Sequence, residues 1–494
     1  MIFSKIRGPM NERSRSKFIV AAVTIFVMVV SIGVGWMTAE SRMLAIYLIS
    51  APLFFVAALW VVSEKPDAVL LILIFAAFLI PLEISASESV AVNSIILILP
   101  LLSMFWIIKS LLTGDGVTID KPTMRPMLVF LIIAGISWLY GIATWQSNFP
   151  KPDNLLFIQL GQWFIFALSF LGFFLAAQQS ITGIRWFIWA FLIFSALALI
   201  GRYGGPLGFI PRALVSPIAQ GNGAIYVWFT ALAGSQAMFN KQLSKSLRRI
   251  LMAAAISVPL LGFVFNSNWA TSWLPPLVVL LCLIFIRSRR SAIALLIALV
   301  IVALLSSGIL LSIFDWDLER QYSIGGRFIL WDAVLRLGLQ EPILGLGLTT
   351  YHQYYKYIPL LTDVGAWYQP NVNSHNLYID IFAQMGAVGL VVFSWLIIEI
   401  GRLLLRSYRV FENGFEKAFV VGCLAGGIGI LAASVMVEWL LPFVYNVGFK
   451  GLRFTVFNWI FLGGLVAIWK VRRASNNEPK RMGSIEAIDS TDLS

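Results

Sequence analysis

Apolar runs long enough to cross a bilayer, about 20 residues each, recur along this chain from Phe18 to Trp469. No polar stretch between them is long enough to hold a soluble domain. The runs fall at 18–37, 43–63, 68–87, 90–108, 127–146, 155–178, 186–201, 217–239, 250–267, 270–286, 292–314, 376–400, 418–440 and 452–469. That is about 14 helices, or 12 to 13 where short runs are re-entrant or tilted; 68–87, with Pro81 and Glu83, and 186–201 are such runs. Charged residues make up only 12% of the chain, against roughly 25% in a soluble domain, and the mean hydropathy is +0.86. Such a chain cannot cover itself with polar surface, so lipid is its main solvent. The expected fold is all-α: a polytopic membrane protein with about 12–14 transmembrane helices and one long, partly helical loop.

A net charge of +12 is often a nucleic-acid cue. Here Lys and Arg gather in short loops, as at Lys241, Lys245, Arg248 and Arg249, at Arg287, Arg289 and Arg290, and at Arg402, Arg406 and Arg409. Alternate loops are basic, the positive-inside pattern, and no nucleic-acid partner is needed to explain them. On that count both termini are cytoplasmic. Residues 1–17 form a basic cytoplasmic segment ahead of a retained first helix. Helices then fill 18–314 and 376–470, and the polar tail at 471–494 is expected to be disordered. Cys282 and Cys423 both lie in apolar runs, with no CxxC spacing, so cysteine usage does not reveal the redox compartment.

Residues 315–375 break the pattern of short connections. This external stretch holds both histidines of the chain, His352 and His375, and many of its aromatics, including Tyr351, Tyr354, Tyr355, Tyr357, Trp367 and Tyr368. The aromatics form either an interfacial belt or a surface for stacking on sugar rings. From Gly326 to Leu339 the spacing of Phe328, Trp331 and Leu335 predicts an amphipathic helix, closed by Glu341 and Pro342. His352 reads best as a solvated or aromatic-stacked loop residue. His375 stands at the outer end of a membrane helix, ahead of Asn376, Gly386 and Gly389, and imidazole is the side chain best suited to take a proton near neutral pH.

External arginines are the second element. Arg327 lies in GGRFILW, and Arg202 and Arg212 lie in the external loop GRYGGPLGFIPRALVSPIAQGN. Guanidinium grips phosphate oxygens in a fork, and two of them converging suit a diphosphate. Each is also explained by a lipid headgroup or a surface ion pair, Arg202 above all because it directly ends a helix. Asp380 and Glu438 are intramembrane acids near helix ends, either functional groups or helix-pairing partners. Asp315 and Asp317 form a DxD too short to specify a metal, and Gly345-Leu346-Gly347 is most simply a turn. Walker, HExxH, GxSxG, heme and zinc patterns do not occur.

The segment HNLYIDIFAQMGAVGL, His375 to Leu390, resembles the His-Asn helix start and paired glycines of the bacterial O-antigen ligase and polymerase superfamily. GGRFILWDAVLRLGLQEPILGLG, Gly325 to Gly347, is similar to that family's arginine–tryptophan element and following Pro-Gly-Gly turn. The resemblance implies a membrane glycosyltransferase of the C type in a bacterial inner membrane, with its loop and active site periplasmic. Its donor would be an undecaprenyl-diphosphate-linked glycan. Its acceptor would be a lipid A–core sugar or another lipid-linked repeat, or a protein hydroxyl in a related group. His375 would be the base on the acceptor hydroxyl, and Arg327 would bind the diphosphate. Arg212 best matches the family's second arginine, with Arg202 as the other candidate. Asn376, Trp331 and Asp380 would support the site. Transfer would invert the anomeric centre, with no metal, nucleotide or other cofactor. From a different class, a transporter of lipid-linked sugars shares the many-helix layout but lacks an internal repeat here.

Overall fold

The computed structural model describes residues 65–79, 83–85, 91–114, 117, 119–204, 223–267, 269–305, 325–355, 373–446 and 448–489. The chain divides into two compact units, Met1–Ile72 and Leu73–Ser494. Of the first, the described part is a single 3-10 turn at Pro66–Ala68 and the beginning of α1 (Val69–Leu79). The second holds a short antiparallel hairpin, β1 (Glu83–Ser85) with β2 (Ala91–Asn93). The rest is helical: α2 (Ser94–Thr113), α3 (Lys121–Ala143), α4 (Leu155–Ala177), α5 (Ile181–Gly204), α6 (Gly223–Phe239), α7 (Lys245–Asn266), α8 (Ala270–Arg287) and α9 (Arg289–Leu305). Then come α10 (Gly325–Gly338), α11 (Thr350–Tyr355), α12 (Leu377–Val410), α13 (Phe415–Ala433) and α14 (Gly448–Asp489).

Among the described residues nine helices are long and apolar enough to cross a membrane: α2, α3, α4, α5, α7, α8, α12, α13 and α14. Each falls on an apolar run of the sequence. The runs at 68–87, 217–239 and 292–314 appear as the shorter helices α1, α6 and α9. Those at 18–37 and 43–63 lie outside the described residues. The all-α membrane fold therefore holds, with the β1–β2 hairpin as its one sheet among the described residues. Its first strand falls at the end of the 68–87 run, after Pro81 interrupts the apolar pattern, and its second at the start of the 90–108 run.

The helices differ in what they face. The α6 helix is buried almost throughout, from Ala224 to Ala237, packed between α7 and α13. Gly422 and Gly426 of α13 let the Ser235 and Trp228 side chains of α6 come close, the small-residue packing common between membrane helices. By contrast α2, α3, α7 and α9 carry exposed Leu111, Ile132, Leu260 and Leu304. Helices that are apolar all round and exposed on one side are solvated by lipid, not water. The backbone of α14 continues past the apolar span to Asp489, where the polar composition predicts disorder after Arg473.

Two interruptions position the site. At Gly386 α12 breaks, with φ +64° and ψ −163°, a conformation open to glycine alone. The turn after Pro342 fills the gap. Ala387 N donates to Pro342 O (2.8 Å) and Val388 N to Ile343 O (3.2 Å), while Leu346 N donates to Ala383 O (2.9 Å) and Gly347 N to Gln384 O (3.1 Å). A Cβ on Gly386 would collide with the Ile343 carbonyl. The second interruption follows α13, which ends at Ala433, several residues before the apolar run does. Residues 434–446 run irregularly, held by Gln162 of α4, which accepts from Val444 N (2.7 Å), and by Asn458 and Trp459 of α14, which donate to Trp439 O (2.6 Å) and Leu440 O (3.0 Å). Non-helical backbone is tolerated in such a bundle only where protein groups satisfy it in this way.

Candidate active site

His375 is fixed from both sides. Asn376 caps α12, its side chain accepting from Tyr378 N (3.0 Å) and Ile379 N (3.2 Å). Ser374 is buried; its carbonyl accepts from the Trp331 indole (2.7 Å) and its hydroxyl accepts from Asn376 N (3.0 Å). Between these anchors His375 takes a left-handed backbone, φ +51°, which costs a non-glycine residue about 1–3 kcal/mol and is found where the surroundings over-determine it. The imidazole keeps 34% of its side-chain surface exposed. Burial, and after it the nearby charge of Arg327, lowers its pKa to about 4, so at neutral pH the ring is uncharged and able to accept a proton.

Arg327 comes from the first turn of α10. Its Nη1 donates to Met436 O in the irregular segment (3.0 Å). Burial pulls its pKa down, Glu438 opposes that, and a guanidinium remains charged all the same. The helix is seated by Leu330, Val334 and Leu337, which pack with Leu346, Tyr351 and Tyr354. Phe328 and Leu335, on the apolar face read from the spacing, are by contrast 62% and 36% exposed. Spacing alone marks two apolar faces on this helix, and the turn at 342–347 together with α11 covers the one through Val334. Trp331 lies between them and is spent on the hydrogen bond to Ser374.

Behind His375 lies a buried polar network. Asp380 Oδ1 accepts from the hydroxyls of Tyr351 and of Ser374, the latter at 2.7 Å. Tyr445 donates to Tyr351 (2.8 Å) and Gln384 Nε2 to Tyr445 (2.9 Å). Asn446 Nδ2 donates to Glu438 Oε2 and stands 3.4 Å from His375 Nδ1. Glu438 Oε2 is itself 3.9 Å from that nitrogen. Burial, reinforced by the Asp380 charge, raises the Glu438 pKa well above the usual carboxylate range.

Of the residues singled out in the sequence, the fold thus brings together His375, Arg327, Trp331, Asn376, Asp380 and Glu438. Arg202 instead lies over the rings of Tyr203 and Tyr226, 5.7 and 5.6 Å from their centroids. Arg212, Asp315, Asp317, Tyr357, Trp367 and Tyr368 lie outside the described residues. His352 stacks on Tyr445 at 4.5 Å and 10° and is buried, the aromatic-stacked form of its expected role and not the solvated one. Tyr351, Tyr354 and Tyr355 are buried as well, so they are neither belt nor sugar platform. Tyr354 stacks on Phe149 and accepts from Gln146 N (2.8 Å). Asn446, Tyr445 and Gln384 went unnoticed in the sequence, since amides and a tyrosine beside apolar runs carry no pattern of their own.

The fold and this cluster define a polytopic membrane protein with a guanidinium and a neutral imidazole gathered where an interrupted helix begins. Residues 254–394, which include α10 and the first part of α12, match the family model described as O-antigen ligase. No curated protein matches the chain.

Proposed function

We propose that this protein is a membrane glycosyltransferase that moves a glycan from undecaprenyl diphosphate to an acceptor hydroxyl, either a lipid A–core sugar or another lipid-linked repeat, at the periplasmic face of a bacterial inner membrane. The observation that carries this reading is the meeting of Arg327 and His375, from elements far apart in sequence. The acceptor hydroxyl gives its proton to His375 while its oxygen forms the new bond to the anomeric carbon. The bond from that carbon to the diphosphate oxygen breaks, and its electron pair leaves with the diphosphate. In this reading Arg327 offsets the charge that collects there. Attack opposite the leaving group inverts the anomeric centre. Diphosphate leaves readily once its charge is held, so these roles call for no metal or nucleotide. Arg212, from the external loop after α5, is the candidate second grip on the diphosphate, with Arg202 the alternative. The exposed Phe328 of α10 and Leu339 just after it suit a helix resting at a lipid surface, the side from which a lipid-linked donor arrives.

A strain lacking the protein tests the reading and separates its two forms. Loss of long glycan from lipid A with lipid-linked polymer accumulating identifies a ligase; chains of a single repeat identify a polymerase. An unchanged surface glycan profile would overturn both.

A further inference from the structure

Two acids meet behind the imidazole. Asp380, in the first turn of α12, is fully buried, and Glu438, in the irregular segment, is 1% exposed. Their carboxyls are within hydrogen-bonding reach of each other. Asp380 Oδ2 and Glu438 Oε1 are buried with no other donor to satisfy them. Two carboxylates do not both keep a charge in such surroundings, because burial and mutual repulsion act together; one proton between them removes the repulsion, leaves a single buried charge and satisfies both orphaned oxygens.

The neighbours decide which acid keeps the charge. Thr349 N donates to Gln384 Oε1 (2.9 Å), which fixes the amide so that its Nε2 donates to Tyr445. Tyr445 then donates to Tyr351, and Tyr351 to Asp380. Ser374 adds a second donor to the same oxygen. Every donor in this line points at Asp380, and such chains strengthen as they polarise one another. Glu438 has fewer such donors, Asn446 at Oε2 and its own backbone N–H. Asp380 is therefore the ionised partner and Glu438 the protonated one.

We infer that Asp380 and Glu438 form a one-proton acid pair with a single negative charge, and that this pair, through Glu438 and Asn446, holds His375 in place and offsets the positive charge it gains on taking the acceptor's proton. The inference rests on the reading of His375 as the base. Its physical need is plain: the imidazolium forms beside Arg327, and a like charge there opposes protonation. A single negative charge behind the ring counters this, whereas a doubly charged pair could not be buried and a neutral one would not help. Both acids are positioning residues in this account, since neither touches substrate.

The test uses the full-length protein in lipid, with the variants Asp380→Asn, Glu438→Gln and the double. Each single amide preserves one donor and lets the other acid carry the charge, whereas the double abolishes the charge. Each single variant is expected to lower kcat by less than about tenfold. The double should lower it by more than about a hundredfold, with the donor KM changed little. The double at wild-type kcat, or singles as slow as the double, overturns the pair. Should His375→Ala itself transfer at the wild-type rate, the reading beneath it falls instead. An infrared difference spectrum gives a second arm that needs no activity: a protonated-carboxyl band in the wild type should vanish in each single variant. Its persistence in both would rule out a shared proton.

Discussion

At the scale of single residues, the state of His375 sets what the site can do. A ring whose pKa is lowered to about 4 is neutral through the physiological range. Accepting a proton requires that neutral form, so transfer should be flat from pH 7 to about 5 and fall as the pH drops through about 4. An acceptor-transfer rate measured across that range, with stability checked in parallel, reads this directly. Stability carries its own sign. The folded ring resists protonation while the unfolded one binds a proton near pH 6.5, so the unfolded state gains protons first and stability declines as pH falls from about 6.5 towards 4. Replacing His375 by alanine should cost about 10²–10⁴ in rate, the usual share of a general base, with the fold retained. Arg327→Ala deletes charge-assisted contacts worth about 1.5–3 kcal/mol each. Its kcat/KM for the lipid donor should fall about 10- to 150-fold, measured by varying the donor at fixed acceptor.

At the scale of elements, the broken helix joins the arginine segment to the histidine segment. The turn at 342–347 lies against the gap at Gly386, and the Trp331 indole ties α10 to Ser374. Gly386→Ala forces a side chain into a backbone conformation that alone costs about 1–3 kcal/mol, and its Cβ meets the Ile343 carbonyl. A markedly lower melting temperature in detergent together with loss of transfer is expected; a variant with wild-type values of both would show that the junction is not what positions the site. Much of this was legible in the sequence. Arg327, Trp331, His375 and Asn376 stand in compact strings whose order declares them. Gly386 was legible as a special glycine, but its role as a break was not, because the segment that pairs with the break lies at Pro342–Gly347 and no local pattern pairs the two. The contact between Asp380 and Glu438 was hidden for the same reason: it depends on α13 ending at Ala433 so that Glu438 can fold back. Which apolar face of α10 is seated was not legible, because Phe328 and Leu335 share the helical spacing of Leu330, Val334 and Leu337, and only the packing of α11 separates them.

At the scale of the whole molecule, the composition determined the solvent and hence the fold class, since lipid leaves a chain little choice but helices. The orientation proposed from the loop charges has the cluster of Arg327 and His375 on the periplasmic side. With Cys282 and Cys423 replaced by serine, a cysteine at the exposed Phe328 position should react with an impermeant thiol reagent added to intact spheroplasts. Reaction only after permeabilisation would reverse the orientation.

The most direct measurement is glycan transfer by the purified full-length protein in lipid bilayers, given a polyprenyl-diphosphate-linked oligosaccharide and a saccharide acceptor. One polyprenyl diphosphate should be released for each glycosidic bond formed, at a rate that falls at least about a hundredfold in His375→Ala while donor binding persists. Transfer by His375→Ala at the wild-type rate would contradict the account.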